Sequence, residues 1–376
     1  MAAYSDKILQ EKLSLLQQET GKICITIILP ASRQDSRINR LHTEKIVHQM
    51  TSALGTEYGR DADILTASLN RLFNQLDFER LEEGFGFYVS EKVEFMLHFP
   101  FPVIEKVMAD RMFDLRDLLY LRQLAHPYFA LHVSEKTAHL YAASLRDLEE
   151  SNDAHFPFEY EDDHEYSPPS RGSSYYGNAF QKSFEQDTSE MQKIRFSTFM
   201  KQVDKKLGHY LTGPEKLVVV GARRNTAAFL NRSEHSEKLI GVVSGNYEMA
   251  GVYQLSLLVW PVMYAWLIEQ MKDAIGDYTE KIGEGLAVEG LVNVWDAVAE
   301  GRGEMLLVEK DYRTPGFVIR NFNDHLYLQP PSRSYNILPD AVNALIAMTL
   351  DKNGSVKFVN NGMLNDHQHI ALVTRY

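Results

Sequence analysis

Ser167 to Lys182, SPPSRGSSYYGNAFQK, is a stretch that no hydrophobic core can absorb. It holds two prolines, two glycines, four serines and the adjacent tyrosines Tyr175 and Tyr176. Gly and Ser bring almost no apolar area, and Pro cannot donate to a ladder. The acidic run Asn152–Tyr166 precedes it, and a long helical pattern, Asp187–Leu211, follows. The fold must therefore interrupt itself here. Aperiodic stretches of this length inside folded chains are either functional arms or disordered linkers. Composition alone leaves both readings open.

The chain has 376 residues, enough for two or three domains. Hydrophobic residues make up 44% and charged residues 24%, as in a soluble globular protein. A net charge of −12 argues against coating nucleic acid through the whole surface, while leaving room for a local basic face. Cys24 is the single cysteine, so no intrachain disulfide forms, and a reducing, cytoplasmic address is expected. The N-terminal residues MAAYSDKILQEKL lack an apolar signal core. The most apolar window, Leu255–Ile268, contains Pro261 and is short for a bilayer span, so a buried helix is expected there.

Periodicity predicts helices over Ser5–Gln18, Asn39–Leu54, Asp61–Leu76, Asp114–Leu124, Asp187–Leu211, Leu255–Ile282, Leu291–Ala299 and Ala341–Leu350. Ile23–Leu29 reads as a buried strand. Phe85–Val89 with Val93–Phe99, and Tyr128–Val133 with Thr137–Tyr141, read as hairpins. Leu217–Val220, Leu239–Val243, Met305–Val308, Val356–Val359 and Ile370–Val373 are further strands. The alternation implies layered α/β domains, with expected bounds 1–125, 126–252 and 253–376.

Motifs for metal or phosphate are missing: there is no HExxH, CxxC pair, EF-hand spacing or P-loop. His367 and His369, beside Asp366, would share a face if they lay on a strand, but nothing supplies a third ligand. Gly283-Glu284-Gly285 with Gly290 falls between two helical patterns, where a dinucleotide fingerprint does not belong. No GxSxG surrounds a serine, Ser256 included. Asp162-Asp163 and Glu149-Glu150 sit in polar runs that read as solvated linker. Arg223-Arg224 directly follows a strand, a place where sites form, and two guanidinium groups there suit phosphates. In the loop, Arg171 and Lys182 can meet phosphates, Tyr175 and Tyr176 can stack on unpaired bases, and Gly172 and Gly177 permit close backbone approach.

Leu286–Glu309, LAVEGLVNVWDAVAEGRGEMLLVE, resembles the start of the C-terminal domain of pelota and of archaeal and eukaryotic class-1 release factors. Asn353–Tyr376, NGSVKFVNNGMLNDHQHIALVTRY, resembles the end of that domain. The middle part, with its hairpin, loop, long helix and LVVVGA strand, is ordered like the middle domain of those factors. ICITIILPASR followed by helices is similar to their bacterial relatives. The resemblance covers nearly the whole chain and points to a bacterial release-factor-like family that includes Balon-type ribosome hibernation factors.

That resemblance implies three domains: a mixed α/β N-terminal domain, a ribonuclease-H-like middle domain, and a C-terminal α/β/α domain like kink-turn-binding ribosomal proteins. It implies binding at the ribosomal A site, with the loop reaching the peptidyl transferase centre. Release factors carry Gly-Gly-Gln there to help water attack the peptidyl-tRNA ester. This chain reads Tyr176-Gly177-Asn178-Ala179-Phe180-Gln181, and the bulk of Phe180 stands where close backbone approach is needed. A non-hydrolytic hibernation, stress or rescue factor is therefore expected. Its contacts with ribosomal RNA or tRNA would come from Arg171, Gly172, Tyr175, Tyr176, Gly177, Asn178, Gln181, Lys182, Arg223 and Arg224. A translational GTPase such as elongation factor Tu is the implied protein partner. No catalytic residue, cofactor, metal, membrane or DNA partner is expected. The alternatives are a peptidyl-tRNA hydrolase or nuclease using the middle domain, with Gln181 positioning water in the hydrolase case, and a stress-response interaction protein that never meets the ribosome.

Overall fold

The computed structural model describes residues 6–19, 23–32, 35–160, 193–319 and 324–376. The chain divides into two compact units, residues 125–267 and residues 6–124 with 268–376.

In the second unit, β1 (Cys24–Pro30), β2 (Gly84–Val89), β3 (Glu94–Phe99) and β4 (Lys106–Asp110) form an antiparallel sheet of order β3-β2-β1-β4. The continuous apolar run of β1 follows from burial on both faces. On one face Ile25, Ile27 and Leu29 meet Ile46, Val47 and Met50 of α2 (Ser36–Tyr58) and Leu65, Leu69 and Leu72 of α3 (Asp63–Gln75). On the other, the Thr26 hydroxyl accepts from the Asp114 amide at 3.1 Å, just before α4 (Arg116–Leu124). α1 (Asp6–Gln18) packs against α4. β4 was not foreseen: it is an edge strand whose alternate residues stay exposed.

The same unit holds a second four-stranded sheet. Its strands are β11 (Ala287–Glu289), β12 (Gly303–Glu309), β15 (Ser355–Val359) and β16 (Ile370–Thr374), in the order β11-β16-β12-β15. β12 and β15 run parallel, and β16 is antiparallel to both β11 and β12. α8 (Leu291–Ala299) and α9 (Ala341–Asp351) pack together and against this sheet. β13 (Gly316–Val318) and β14 (Asn336–Leu338) make a separate ribbon. The two sheets are joined by side chains of α4. The Arg116 guanidinium donates to the Tyr312 carbonyl at 2.7 Å and to Asp340 at 2.8 Å. The Gln123 amide exchanges two hydrogen bonds with the Phe358 backbone.

The unit of residues 125–267 is built on β5 (Tyr128–Val133), β6 (Thr137–Ser144), β7 (Asp147–Glu150), β9 (Lys216–Gly221) and β10 (Leu239–Ser244). β8 (Phe158–Glu159) adds to β6. The order β10-β9-β5-β6-β7 has β5, β9 and β10 parallel and the β5-β6-β7 meander antiparallel. Renumbered without β8 and read from the β7 edge, that is 3-2-1-4-5, the ribonuclease-H-like arrangement. One face buries Leu131, Val133, Leu140, Leu217 and Val219 against Phe199, Met200, Val203 and Leu207 of the helix over 193–207, α5. α6 (Arg223–Leu230) adds Phe229 to this core. β7 and β8 replace the solvated linker expected around Glu149-Glu150 and in the acidic run.

α7 (Val252–Gly283) covers the helix expected over Leu255–Ile282 and is, by length and composition, apolar enough to cross a membrane. It buries one residue per turn, among them Leu255, Val259, Met263, Leu267, Met271, Ala274 and Tyr278. It ends at Gly283, and Gly285 follows with φ +73°.

Candidate functional site

Open α/β sheets place ligands beyond the carboxyl ends of their parallel strands. In the unit of residues 125–267, the turns after β5, β9 and β10 occupy that position. They are Ser134-Glu135-Lys136, Ala222-Arg223-Arg224 and Ser244 to Glu248.

The first turn is closed by Ser134. Its amide donates to the Thr137 carbonyl at 2.8 Å, and its hydroxyl accepts from the amides of Lys136 and Thr137. This brings His132 on β5 opposite His139 on β6, ring centroids 6.3 Å apart. His139 Nδ1 lies 2.7 Å from the Glu150 carboxylate on β7. These side chains point away from the face that α5 covers, since Leu131 and Val133 alternate with His132.

They line a pocket of ≈ 460 Å³ with Glu135, Lys136, Tyr141, Glu248 and Ala250 among its walls. His132 is buried, and its Nε2 has no hydrogen-bond partner. Burial lowers the His132 pKa, the neighbouring His139 lowers it further, and Glu248 partly opposes both. His132 is therefore neutral near pH 7. The Tyr141 hydroxyl is pushed up to about 12 by burial and by Glu150, so it keeps its proton.

The second turn requires a glycine. Gly221 has φ +153°, and a Cβ there would fall 2.3 Å from the Val133 carbonyl oxygen. Arg223 and Arg224 follow in the first turn of α6, both exposed. The Arg224 guanidinium lies 3.4 Å from Glu135 and 5.7 Å from the centre of the Phe196 ring. It thus stands at the rim of the pocket rather than apart from it.

Both ends of the loop-bearing segment attach to the same rim. Tyr160, the last described residue before it, donates its amide to the Lys136 carbonyl at 2.7 Å. α5 resumes the chain at 193 and carries Phe196 to Arg224. Arg171, Gly172, Tyr175, Tyr176, Gly177, Asn178, Gln181 and Lys182 lie outside the described residues, as does Asp162-Asp163.

His367 and His369 are not on a strand. His367 ends a 3-10 turn, and His369 has φ +67°, before β16 begins. They separate onto Glu289 at 2.8 Å and Glu309 at 2.9 Å. Among the described residues no group of His, Cys, Asp and Glu could hold a metal ion. Gly283-Glu284-Gly285 lies between α7 and β11, so a strand follows it where a second helix was expected. Sequence reading missed His132, His139 and Glu248, and read Glu149-Glu150 as solvated linker. The available signal was the symmetric placement of His132 and His139 on either side of the hairpin turn.

Residues 127–302, just under half of the chain, match the family described as bacterial archaeo-eukaryotic release factor family 3. Over that stretch the chain is similar to this release-factor family. That stretch contains the whole pocket and both arginines. No curated protein matches the chain. Three of the solved structures to which the chain is similar follow. The archaeal translation termination factor aRF1 has 14% identity over 99% of this chain and 98% of that one, with a TM-score of 0.26. Pelota of Archaeoglobus fulgidus has 14% identity over 78% of each chain, with a TM-score of 0.35. Dom34 of S. cerevisiae has 9% identity over 78% and 73%, with a TM-score of 0.39. At these values no residue role is carried from them to this chain.

Proposed function

We propose that the protein is a ribosome-binding translation factor that occupies the A site and the peptidyl transferase region without cutting the peptidyl-tRNA ester. The observation that carries this reading is the release-factor family match, which spans the unit carrying the loop. The loop itself has Tyr176-Gly177-Asn178-Ala179-Phe180-Gln181 in place of Gly-Gly-Gln. Placing water for ester attack needs sub-ångström geometry, which Phe180 beside Gln181 does not favour. The role is hibernation, stress protection or rescue, in the cytoplasm.

In this reading the domains run 1–125, 126–252 and 253–376. Loop residues Arg171, Tyr175, Tyr176, Asn178, Gln181 and Lys182, with Gly172 and Gly177, meet ribosomal RNA or tRNA. Arg223 and Arg224, exposed at the loop's base, add phosphate contacts. A translational GTPase of the elongation factor Tu type delivers the protein, and the acidic surface suits that protein contact. Sedimentation of purified protein with ribosomes at low salt tests the reading. Co-migration with a ribosomal fraction is expected, and absence from every fraction contradicts it. Peptide release from stalled ribosomes that is lost in Gln181→Ala would instead make the protein a hydrolase.

A further inference from the structure

The pocket beside the loop has a polar inventory that selects one kind of ligand. Glu135, Glu150 and Glu248 are carboxylates, which near neutral pH only accept hydrogen bonds, and Lys136 is the one lysine or arginine among its lining residues. His139 already engages one oxygen of Glu150. His132 is neutral at pH 7 and buried, and in its Nδ1–H tautomer the unpartnered Nε2 presents a lone pair. Acceptors thus outnumber donors in a recess that carries net negative charge. The ring of Tyr141 and that of His139 supply flat walls. A planar, donor-rich cation satisfies all of these together, because it offers several N–H groups, positive charge and a face that stacks. The chain already shows the pairing at the rim, where the Arg224 guanidinium meets Glu135.

We propose that the pocket formed by His132, His139, Tyr141, Glu150 and Glu248 is a binding site for a guanidinium group. Glu248, exposed at the mouth, receives the cation. Glu150 accepts its N–H groups deeper in, beside the buried His132 ring. The site includes Lys136, whose carbonyl accepts from the amide of Tyr160, the last described residue before the loop-bearing segment. The inference concerns the free protein and does not rest on ribosome binding.

The test is titration of the full-length protein, with His imidazoles labelled for NMR, by agmatine and separately by a capped Gly-Arg-Gly peptide. Saturable shifts of the His132 and His139 signals are expected. Glu150→Gln and Glu248→Gln should each weaken binding by about tenfold, the effect of losing a charge-assisted hydrogen bond. Butylammonium, which lacks the planar fork, and the urea isostere of agmatine should bind at least about tenfold more weakly. Tighter binding of the peptide makes the source an arginine of a partner protein, and tighter binding of agmatine makes it a small metabolite. Either result supports the site. The proposal is overturned if neither probe saturates by about 10 mM, if both glutamine variants bind as the parent does, or if the urea isostere binds equally well. Unchanged amide spectra of the two variants would show that a loss of binding is not unfolding.

Discussion

Gly221 and Val133 approach each other backbone to backbone at the carboxyl ends of β9 and β5. A methyl group on Gly221 would stand 2.3 Å from the Val133 carbonyl oxygen, at a backbone φ of +153° that other residues avoid. This contact fixes the turn that presents Arg223 and Arg224 beside the Ser134-Glu135-Lys136 turn.

Gly221→Ala should therefore cost more than an ordinary glycine substitution. Neither the carbonyl nor the backbone angle can relax without shifting a central parallel strand. A loss of about 2–4 kcal/mol in urea unfolding is expected. A loss under about 1 kcal/mol would show that the turn tolerates a side chain.

Arg116 is almost wholly buried and pairs with Asp340 at 2.8 Å, while also donating to the Tyr312 carbonyl. Removing one partner of a buried pair leaves the other charge uncompensated. Arg116→Met should cost about 3–5 kcal/mol in chemical denaturation. An unchanged midpoint would mean that Asp340 is held adequately by its other role, capping the amides of Val342 and Asn343.

Gln123 acts as a short stand-in for a strand neighbour at β15. Its amide nitrogen donates to the Phe358 carbonyl at 2.7 Å, and its amide oxygen accepts from the Phe358 amide at 2.8 Å. Gln123→Ala leaves both backbone groups without these partners, so a loss of about 2 kcal/mol is expected. Gln123→Glu should recover part of this, because it keeps one acceptor.

The pKa of His132 is lowered in the folded state, first by burial and then by His139. Above the unfolded pKa of about 6.5 both states are neutral, so the group contributes no slope. As pH falls below that value the unfolded chain takes up a proton before the native one does, and stability drops until the lower native pKa is passed. His98, in the other unit, shifts in the same direction through burial. Unfolding free energies measured between about pH 7 and about pH 5, a range that brackets the free histidine pKa, should fall more steeply in the parent than in His132→Gln. Parallel curves would contradict the assignment.

Much of the fold was legible because periodicity is local. α8 was read to the residue from Leu291 to Ala299, and the Ser90-Glu91-Lys92 and Ser134-Glu135-Lys136 turns marked both hairpins. Some strands at sheet margins were not, although β3, β10 and β15 were. Asp147–Glu150, DLEE, is an acidic edge strand, and charge is what keeps an exposed edge from pairing with another chain. The same letters read as linker. β4 alternates too weakly to stand out, and β13 and β14 are three residues each. The pocket was illegible for a different reason. His132 and His139 meet through register, Glu150 through a second hairpin, and Glu248 through a parallel crossover. Only the first of these leaves a local trace. Arg223-Arg224 was visible because it directly follows an apolar run.

The central claim is that this chain fills the peptidyl transferase region without hydrolysis. A density map of ribosomes carrying peptidyl-tRNA and incubated with the protein tests it most directly. Density is expected for the unit of residues 125–267 in the A site and for residues 167–182 at the peptidyl transferase centre, with the peptidyl-tRNA ester intact. Density confined to another ribosomal site, or a cleaved ester, would contradict it.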